Sequence, residues 1–343
     1  MHDVSDFRSD TVTLPTPEMR EAMAKAELGD DVLGTEPTVN KLEAMTADLL
    51  GKEAALFVPS GTMSNQIAMA LHAQRGQEII CEYSAHTYNN ESGALALIAG
   101  AQVRPLHGEF GAMDPEAVEH LVRPANIHNP RTALITVENT HNAAGGTIIP
   151  HENVLALAEV ARRHGLKYHL DGARLWNAHV ATGLSLKEMC APFDTVSVCL
   201  SKGLCSPVGS VLVGARADIE RGRYLRKQLG GGMRQSGLLA ACGIVSITKM
   251  IGRLKDDHAN AHKLAAGLKK LKPLKLDIGT VHTNIVYFSA PGREAEFDGW
   301  LDRLREKQVL ALYLGTRWRM VTHNDVDGED VDRALAAWKE ILG

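Results

Sequence analysis

Cysteine is scarce in this chain of 343 residues: Cys81, Cys190, Cys199, Cys205 and Cys242 are odd in number and form no Cys-x-x-Cys pair. That excludes a disulfide framework and a structural zinc site of paired thiolates, and the five are read as reduced thiols in small apolar surroundings. Positive charge is not in excess either. A formal net charge of −4 leaves no broad basic surface for a polyanion, so nucleic acid is not an expected partner. Long apolar runs are missing as well. The longest, ALALIAGA around Leu95, is far too short to span a bilayer, and the start MHDVSDFRSD has acids where a secretory signal has an apolar core. A cytoplasmic protein with no membrane partner is expected. The fifteen histidines suggest no metal site, and no internal repeat or low-complexity segment interrupts the chain.

What the chain does have is length and alternation. With 45% hydrophobic and 23% charged residues it exceeds one ordinary core, so a large α/β domain and a smaller one are expected. A first helix has Thr16 as N-cap, Pro17 at its first position, Glu18 in its first turn and Gly29 beyond its end. A second follows Pro37, with Val39, Leu42, Met45 and Leu49 at helical spacing and Gly51 as its stop. Strands and helices then alternate: AALFV before a helix over 63–73, EIIC before 91–99, VRPL before 115–121 and TALITV before 152–164. KYHL, TVSVCL and SVLVG follow as further strands. Near-continuous apolar strands between helices make a mostly parallel sheet covered on both faces. The large domain is read as 17–250, behind an N-terminal arm of 1–16 and ending in a long helix after Gly237. Residues 251–343 read as a smaller α+β domain, with the strand NIVYF, a helix over 294–307 and a closing helix over 331–342.

Two strand ends carry the chemistry. KYHL runs into Asp171-Gly172-Ala173-Arg174 and TVSVCL into Ser201-Lys202-Gly203. In an open α/β sheet the carboxyl ends of strands are where ligands collect. An acid and an amine on one rim suit pyridoxal phosphate, whose aldehyde needs a Lys to hold it as a Schiff base and whose ring nitrogen needs an acid to keep it protonated. Taken singly, each residue reads as a turn cap and a surface amine; the combination points to the cofactor. Ser60-Gly61-Thr62, between AALFV and a helix, offers the amides of a helix N-terminus to a phosphate. His86, in the loop YSAHTY, is placed to lie on a pyridine ring or to act as a base. Arg174 and Arg319 each suit a bidentate clamp on a carboxylate, with a surface ion pair as the bland alternative. No Gly-x-Gly-x-x-Gly follows the first strand, which disfavours a dinucleotide-binding oxidoreductase. Gly230-Gly231-Gly232 follows a basic helical segment instead.

Eight ordered segments span essentially the whole chain: FRSDTVTLPTPEMREAM, GDDVLGTEPTVNKLE, FVPSGTMSNQIA, ENTHNAAGGTIIP, HLDGARLWNA, SVCLSKGLCSPVGS, LGGGMRQSG and RMVTHNDV. Together they resemble the L-threonine aldolase family, of the low-specificity or L-allo-threonine type, among the fold-type-I pyridoxal-phosphate enzymes. The resemblance implies an aspartate aminotransferase-like large domain and a smaller C-terminal α+β domain. It makes Lys202 the cofactor lysine, sets Asp171 against the ring nitrogen, gives the phosphate to Ser60, Gly61 and Thr62, and stacks His86 on the ring. Ser9, Arg174 and Arg319 would take the substrate carboxylate, and His128 of ANIHNP would be a second histidine near the substrate hydroxyl. Arg234 of GGGMRQ would reach the cofactor of a neighbouring subunit in a homotetramer, a dimer of dimers with shared active sites. The implied reaction is retro-aldol cleavage of L-threonine, L-allo-threonine and other L-β-hydroxy-α-amino acids to glycine and an aldehyde. An aminotransferase or a β-eliminating lyase would share fold and cofactor, and product identity separates them. Trp176 and Cys205 stand where Phe and Gly are expected.

Overall fold

The computed structural model describes residues 4–343. A short strand, β1 (Ser5–Asp6), is followed by α1 (Pro17–Ala24) and α2 (Pro37–Leu50). Both helices begin as their residues dictate: the Thr16 hydroxyl accepts the Met19 amide, and each helix carries Pro in its opening positions, where the missing N–H costs nothing. At the end of α2, Gly51 takes a left-handed φ of 68°, a conformation that glycine adopts without a Cβ penalty.

Seven strands make the central sheet: β2 (Ala54–Val58), β3 (Glu78–Glu82), β4 (Gln102–Leu106), β5 (Thr132–Glu138), β6 (Lys167–Gly172), β7 (Thr195–Cys199) and β8 (Ser210–Gly214). Their order is β2-β8-β7-β6-β5-β3-β4, and β8 alone runs against its neighbours, so the sheet is mostly parallel as expected. Between the strands lie α3 (Gly61–His72), α4 (His86–Asn89), α5 (Pro115–Leu121), α6 (His151–His164), α7 (Leu175–Thr182) and α8 (Leu186–Cys190); α9 (Arg216–Gln228) and α10 (Gly237–Val245) follow the last strand. The apolar runs are continuous because both faces are covered: β3, β7 and β8 are buried at every position. One expectation fails. The helix over 91–99 is only a five-residue π turn, Leu95–Ala99, because Ser92 (φ 53°) and Gly93 (φ 73°) both turn left-handed and block helical continuation.

Beyond α10 the chain passes through a second π turn, Ser246–Met250, into α11 (Leu254–Leu268), β9 (Ile285–Ser289), α12 (Phe297–Glu306), β10 (Val309–Leu310), β11 (Leu312–Leu314), β12 (Arg317–Val321) and α13 (Gly328–Leu342). β11, β12 and β9 form an antiparallel sheet, while β10 pairs in parallel with β1. The start of the chain is thereby stitched to this C-terminal part, with Phe7 inside its core. The few aromatic residues concentrate here. Three of the four tryptophans, Trp300, Trp318 and Trp338, pack with Phe288 and Phe297, and the rings of Trp318 and Trp338 meet edge-on at 4.8 Å. No single helix among the described residues is long and apolar enough to cross a membrane. The segments Gly237–Met250 and Leu254–Leu268 reach that length only jointly, with a bend of 68° between them.

Candidate active site

Strand register brings the expected residues to one rim. Val58 and Cys199 flank Ser210, Glu138 lies beside Asp171, and Asp171 lies beside Ser197. The chain steps from β3 out to β4, returns past β3 to β5 and then continues the other way across the sheet. Loops leaving β3 and β5 therefore part at a switch point, which leaves a crevice outside the strand ends.

On one side of this crevice are acids. Asp171 is 2% exposed, and its oxygens accept the Asn65 side-chain amide at 2.9 Å and the Ala173 backbone amide at 3.1 Å. The same Asn65 Nδ2 donates to Glu91 Oε1 at 2.9 Å, and Gln66 donates to the other Glu91 oxygen. His86 Nδ1 stands 3.0 Å from Glu91 Oε1. That hydrogen bond raises the His86 imidazole above its ordinary pKa, against burial and with help from the charges of Asp171 and Glu138. Asn65 turns its carbonyl to His169 Nε2 at 3.3 Å, and burial holds His169 down to about 3, so this second imidazole is neutral. Glu138 accepts the backbone amides of His86 at 2.7 Å and Asn142 at 2.9 Å, tying two rim loops to one carboxylate.

On the other side are cations. Lys202 is half-buried, makes no ion pair among the described residues, and has Cys199 Sγ 3.6 Å from its amine. Its carbonyl accepts the Thr13 hydroxyl at 2.9 Å. Ser60 caps α3 by accepting the Met63 amide, and Ser60 and Thr62 are exposed. A Cβ on Gly61 would come within 2.8 Å of Cys199 Sγ, so glycine is what lets this helix N-terminus sit so close to the strand that leads to Lys202. Arg319, on β12, is 6% exposed; it donates to the Arg8 carbonyl at 2.9 Å and to Asn142 Oδ1 at 3.2 Å, and its Nε has no partner. Burial, with repulsion from Arg174, lowers its pKa. Ser9 is half-buried nearby in the chain, its hydroxyl accepting the Thr11 amide.

Three expected residues stand differently. Arg174 offers no free fork, since its Nε and Nη2 donate to the two oxygens of Asp10 at 2.7 and 2.6 Å, and only Nη1 reaches Asn142 Oδ1, at 3.3 Å. This pair is buried, not a surface ion pair. Burial works against the Asp10 carboxylate, yet the charge and hydrogen bonds of Arg174 outweigh it and hold the carboxyl well below its usual range. His128 is exposed in the loop before β5, with its amide on Asn126 Oδ1. The seven residues of β5 separate that end of the strand from the rim, roughly 20 Å at the rise of a strand. Arg234 is exposed and pairs with Asp30 at 3.0 Å rather than with any rim residue.

Sequence reasoning passed over Asp10, Asn65, Glu91, Glu138 and Asn142. The signal was an acid or amide left without a role inside or beside the matching segments: Asp10 in FRSDTVT, Asn65 in SGTMSNQ, Glu138 and Asn142 in ENTHN, and Glu91 five residues after His86. It also passed over a His-x-x-x-His spacing, His258 and His262 on α11. There burial, with the neighbouring His262 and Arg253, lowers His258 to about 4, and its ring meets Asn177 rather than an acid.

The chain matches the family model for beta-eliminating lyases over residues 6–291. It is 43% identical to a probable low-specificity L-threonine aldolase 2 of Arabidopsis thaliana, over 98% of this chain and 97% of that one. Identity to the low specificity L-threonine aldolase of Escherichia coli K12 is 41%, over 98% of this chain and 99% of that one. The chain belongs to the threonine aldolase family. Among solved structures, the threonine aldolase of Leishmania major is 20% identical and shares the fold, with a TM-score of 0.84 over 98% of this chain and 99% of that one. Threonine aldolases have the fold-type-I architecture and use pyridoxal phosphate, and the rim residues here fit that group. An open helix N-terminus suits an anion, an unpaired amine suits an aldehyde, and a carboxylate held by neutral donors suits a ring N–H. A buried arginine without an acid suits the carboxylate of an amino acid.

Proposed function

We propose that this chain cleaves L-threonine, L-allo-threonine and other L-β-hydroxy-α-amino acids between Cα and Cβ, giving glycine and an aldehyde. The observation that carries the reading is that the carboxyl ends of the neighbouring parallel strands β6 and β7 lead to a buried carboxylate held by two neutral donors (Asp171) and to an amine without an ion pair (Lys202), in a chain of the threonine aldolase family. Ser60, Gly61 and Thr62 bind the cofactor phosphate. Lys202 holds the aldehyde carbon through its amine, and Asp171 faces the ring nitrogen. The Asn65 and Ala173 donors keep the Asp171 carboxylate aimed at the place of the ring nitrogen. Bound pyridoxal phosphate supplies a protonated ring that accepts the electron pair left at the substrate α-carbon.

Arg319 meets the substrate carboxylate with an open donor, and Ser9 lies beside it. Arg174 contributes through Nη1 alone, because Asp10 occupies the rest of its fork. Asn142 Oδ1, shared by both arginines, holds them on a common point. His86 lies against the ring, and the β-hydroxyl proton passes to it or to a water it holds. His128 and Arg234 stand away from this chain's own rim, and in a homotetramer built as a dimer of dimers they would complete a neighbouring site. A cytoplasmic location suits five buried free thiols.

Product analysis of the holoenzyme on L-threonine tests the reading. Glycine and acetaldehyde in equal amounts are expected. Release of 2-oxobutanoate and ammonia would make the chain a β-eliminating lyase instead, and conversion of threonine to its keto acid would make it an aminotransferase.

A further inference from the structure

Glu91 has no part in the chemistry above, yet three side chains are tied to its carboxylate at the rim. Its side chain is fully buried. Asn65 Nδ2 and His86 Nδ1 converge on Oε1 at 2.9 and 3.0 Å, and Gln66 Nε2 serves Oε2. Asn65 and Gln66 are themselves buried, and the Asn65 amide has one orientation open to it. A flip would turn its oxygen against two carboxylates, those of Glu91 and Asp171, and its nitrogen toward His169. With three donors converging on it, Glu91 is the acceptor in each of these bonds. The proton shared with His86 therefore sits on Nδ1, and the neutral imidazole keeps its lone pair on Nε2.

We propose that Glu91 is the positioning residue for His86, fixing its Nδ1–H tautomer so that Nε2 is the nitrogen that accepts the β-hydroxyl proton, and joining this base through Asn65 to Asp171. The inference rests on the threonine aldolase reading. The hydroxyl O–H bond breaks toward Nε2, the oxygen electron pair closes the aldehyde C=O as Cα–Cβ breaks, and the pair left at Cα would be taken up by the electron-accepting ring that bound pyridoxal phosphate supplies. The proton then returns to Cα as glycine forms, so the imidazole ends neutral. Three charged groups act on the ring: Glu91 from the bend after α4, Asp171 from β6 and Glu138 from β5, and all three favour its protonated form. Glu91 alone is hydrogen-bonded to the imidazole. A base whose protonated form is favoured in this way fills with protons at higher pH than a free histidine does. The acid limb of kcat/KM lies correspondingly high, and removing the Glu91 charge moves it down.

The experiment compares wild-type holoenzyme with E91Q, following hydrogen exchange at the His86 ring carbon by mass spectrometry across pH, alongside the pH profile of kcat/KM on L-threonine. The expected result is a fall of the His86 midpoint by about one pH unit or more in E91Q. The acid limb should fall in step, and the cofactor should stay bound. An unchanged midpoint, or a limb that stays put while the midpoint falls, overturns the assignment. If E91Q does not fold, the wild-type midpoint decides alone: a value no higher than that of an exposed histidine overturns it. The exchange measurement needs no substrate, so a chain that makes products other than glycine would sink the aldolase reading while leaving the coupling of Glu91 to His86 standing.

Discussion

Asp10 and Arg319 are both buried charges at the same site, 0% and 6% exposed, but only Asp10 has a counter-ion. The contrast extends across the rim. Asp171, Glu91, Glu138 and Asp10 are each held by two or more donors before any ligand arrives. Lys202 and Arg319 face the same space without an acid. Partnered acids keep their direction, which is preorganisation in the electrostatic sense. A buried cation without an acid is a standing cost, and a ligand of opposite charge relieves it on binding. The acid side therefore sets geometry, and the cation side sets affinity.

That comparison is most exposed to test at the two arginines. In R174M the buried Asp10 loses its partner, and stability should fall by about 3–5 kcal/mol in urea unfolding. Because the folded carboxyl of Asp10 is depressed, its contribution is full above the unfolded value near 3.9 and disappears as pH falls through the folded value. The acid-unfolding curve of the wild type should thus carry a component below about pH 4 that R174M lacks. In R319M no acid is orphaned, so stability should hardly move. KM for threonine should instead rise about tenfold to hundredfold, the equivalent of about 1.5–3 kcal/mol for a lost charge-assisted hydrogen bond. Equal losses of stability in both variants would erase the distinction between the two sides.

A step smaller than breaking the Asp10 pair is D171N, which keeps the shape and the cation side. The cofactor should stay bound while turnover falls about 10²- to 10³-fold, the range for losing one preorganised electrostatic group. Near-normal turnover would mean that the acid side does not govern the ring.

Much of this was legible because it is local. Thr16, Pro17, Pro37 and Gly51 mark helix ends through their own backbone chemistry, and all seven core strands stand where apolar runs meet turn residues. The acid partners were not, because each joins residues far apart in sequence: Asp10 to Arg174, Asn65 to Asp171, Glu138 to His86. Arg174 carried the right charge for a clamp, and only the fold shows that its fork is already filled. His128 carried the right ring, and the topology sets it before the start of β5, away from this chain's own rim. The two departures from the family pattern do have physical accounts. Cys205 sits at φ 64°, where glycine is the easier residue, and burial pushes its thiol up to about 12, leaving it inert. Trp176 donates its indole N–H to the Cys199 carbonyl at 2.8 Å, a bond that phenylalanine cannot make. W176F should accordingly cost about 1 kcal/mol in thermal unfolding; no change would reduce Trp176 to packing alone.

The central claim is that Lys202 is the amine left open for the cofactor, opposite an acid side already built. Borohydride reduction of the holoenzyme followed by peptide mass spectrometry tests it most directly. The account predicts the cofactor mass on the peptide containing Lys202 and on no other, and its loss in K202A. Cofactor found on a different lysine, or still covalently bound in K202A, would contradict it.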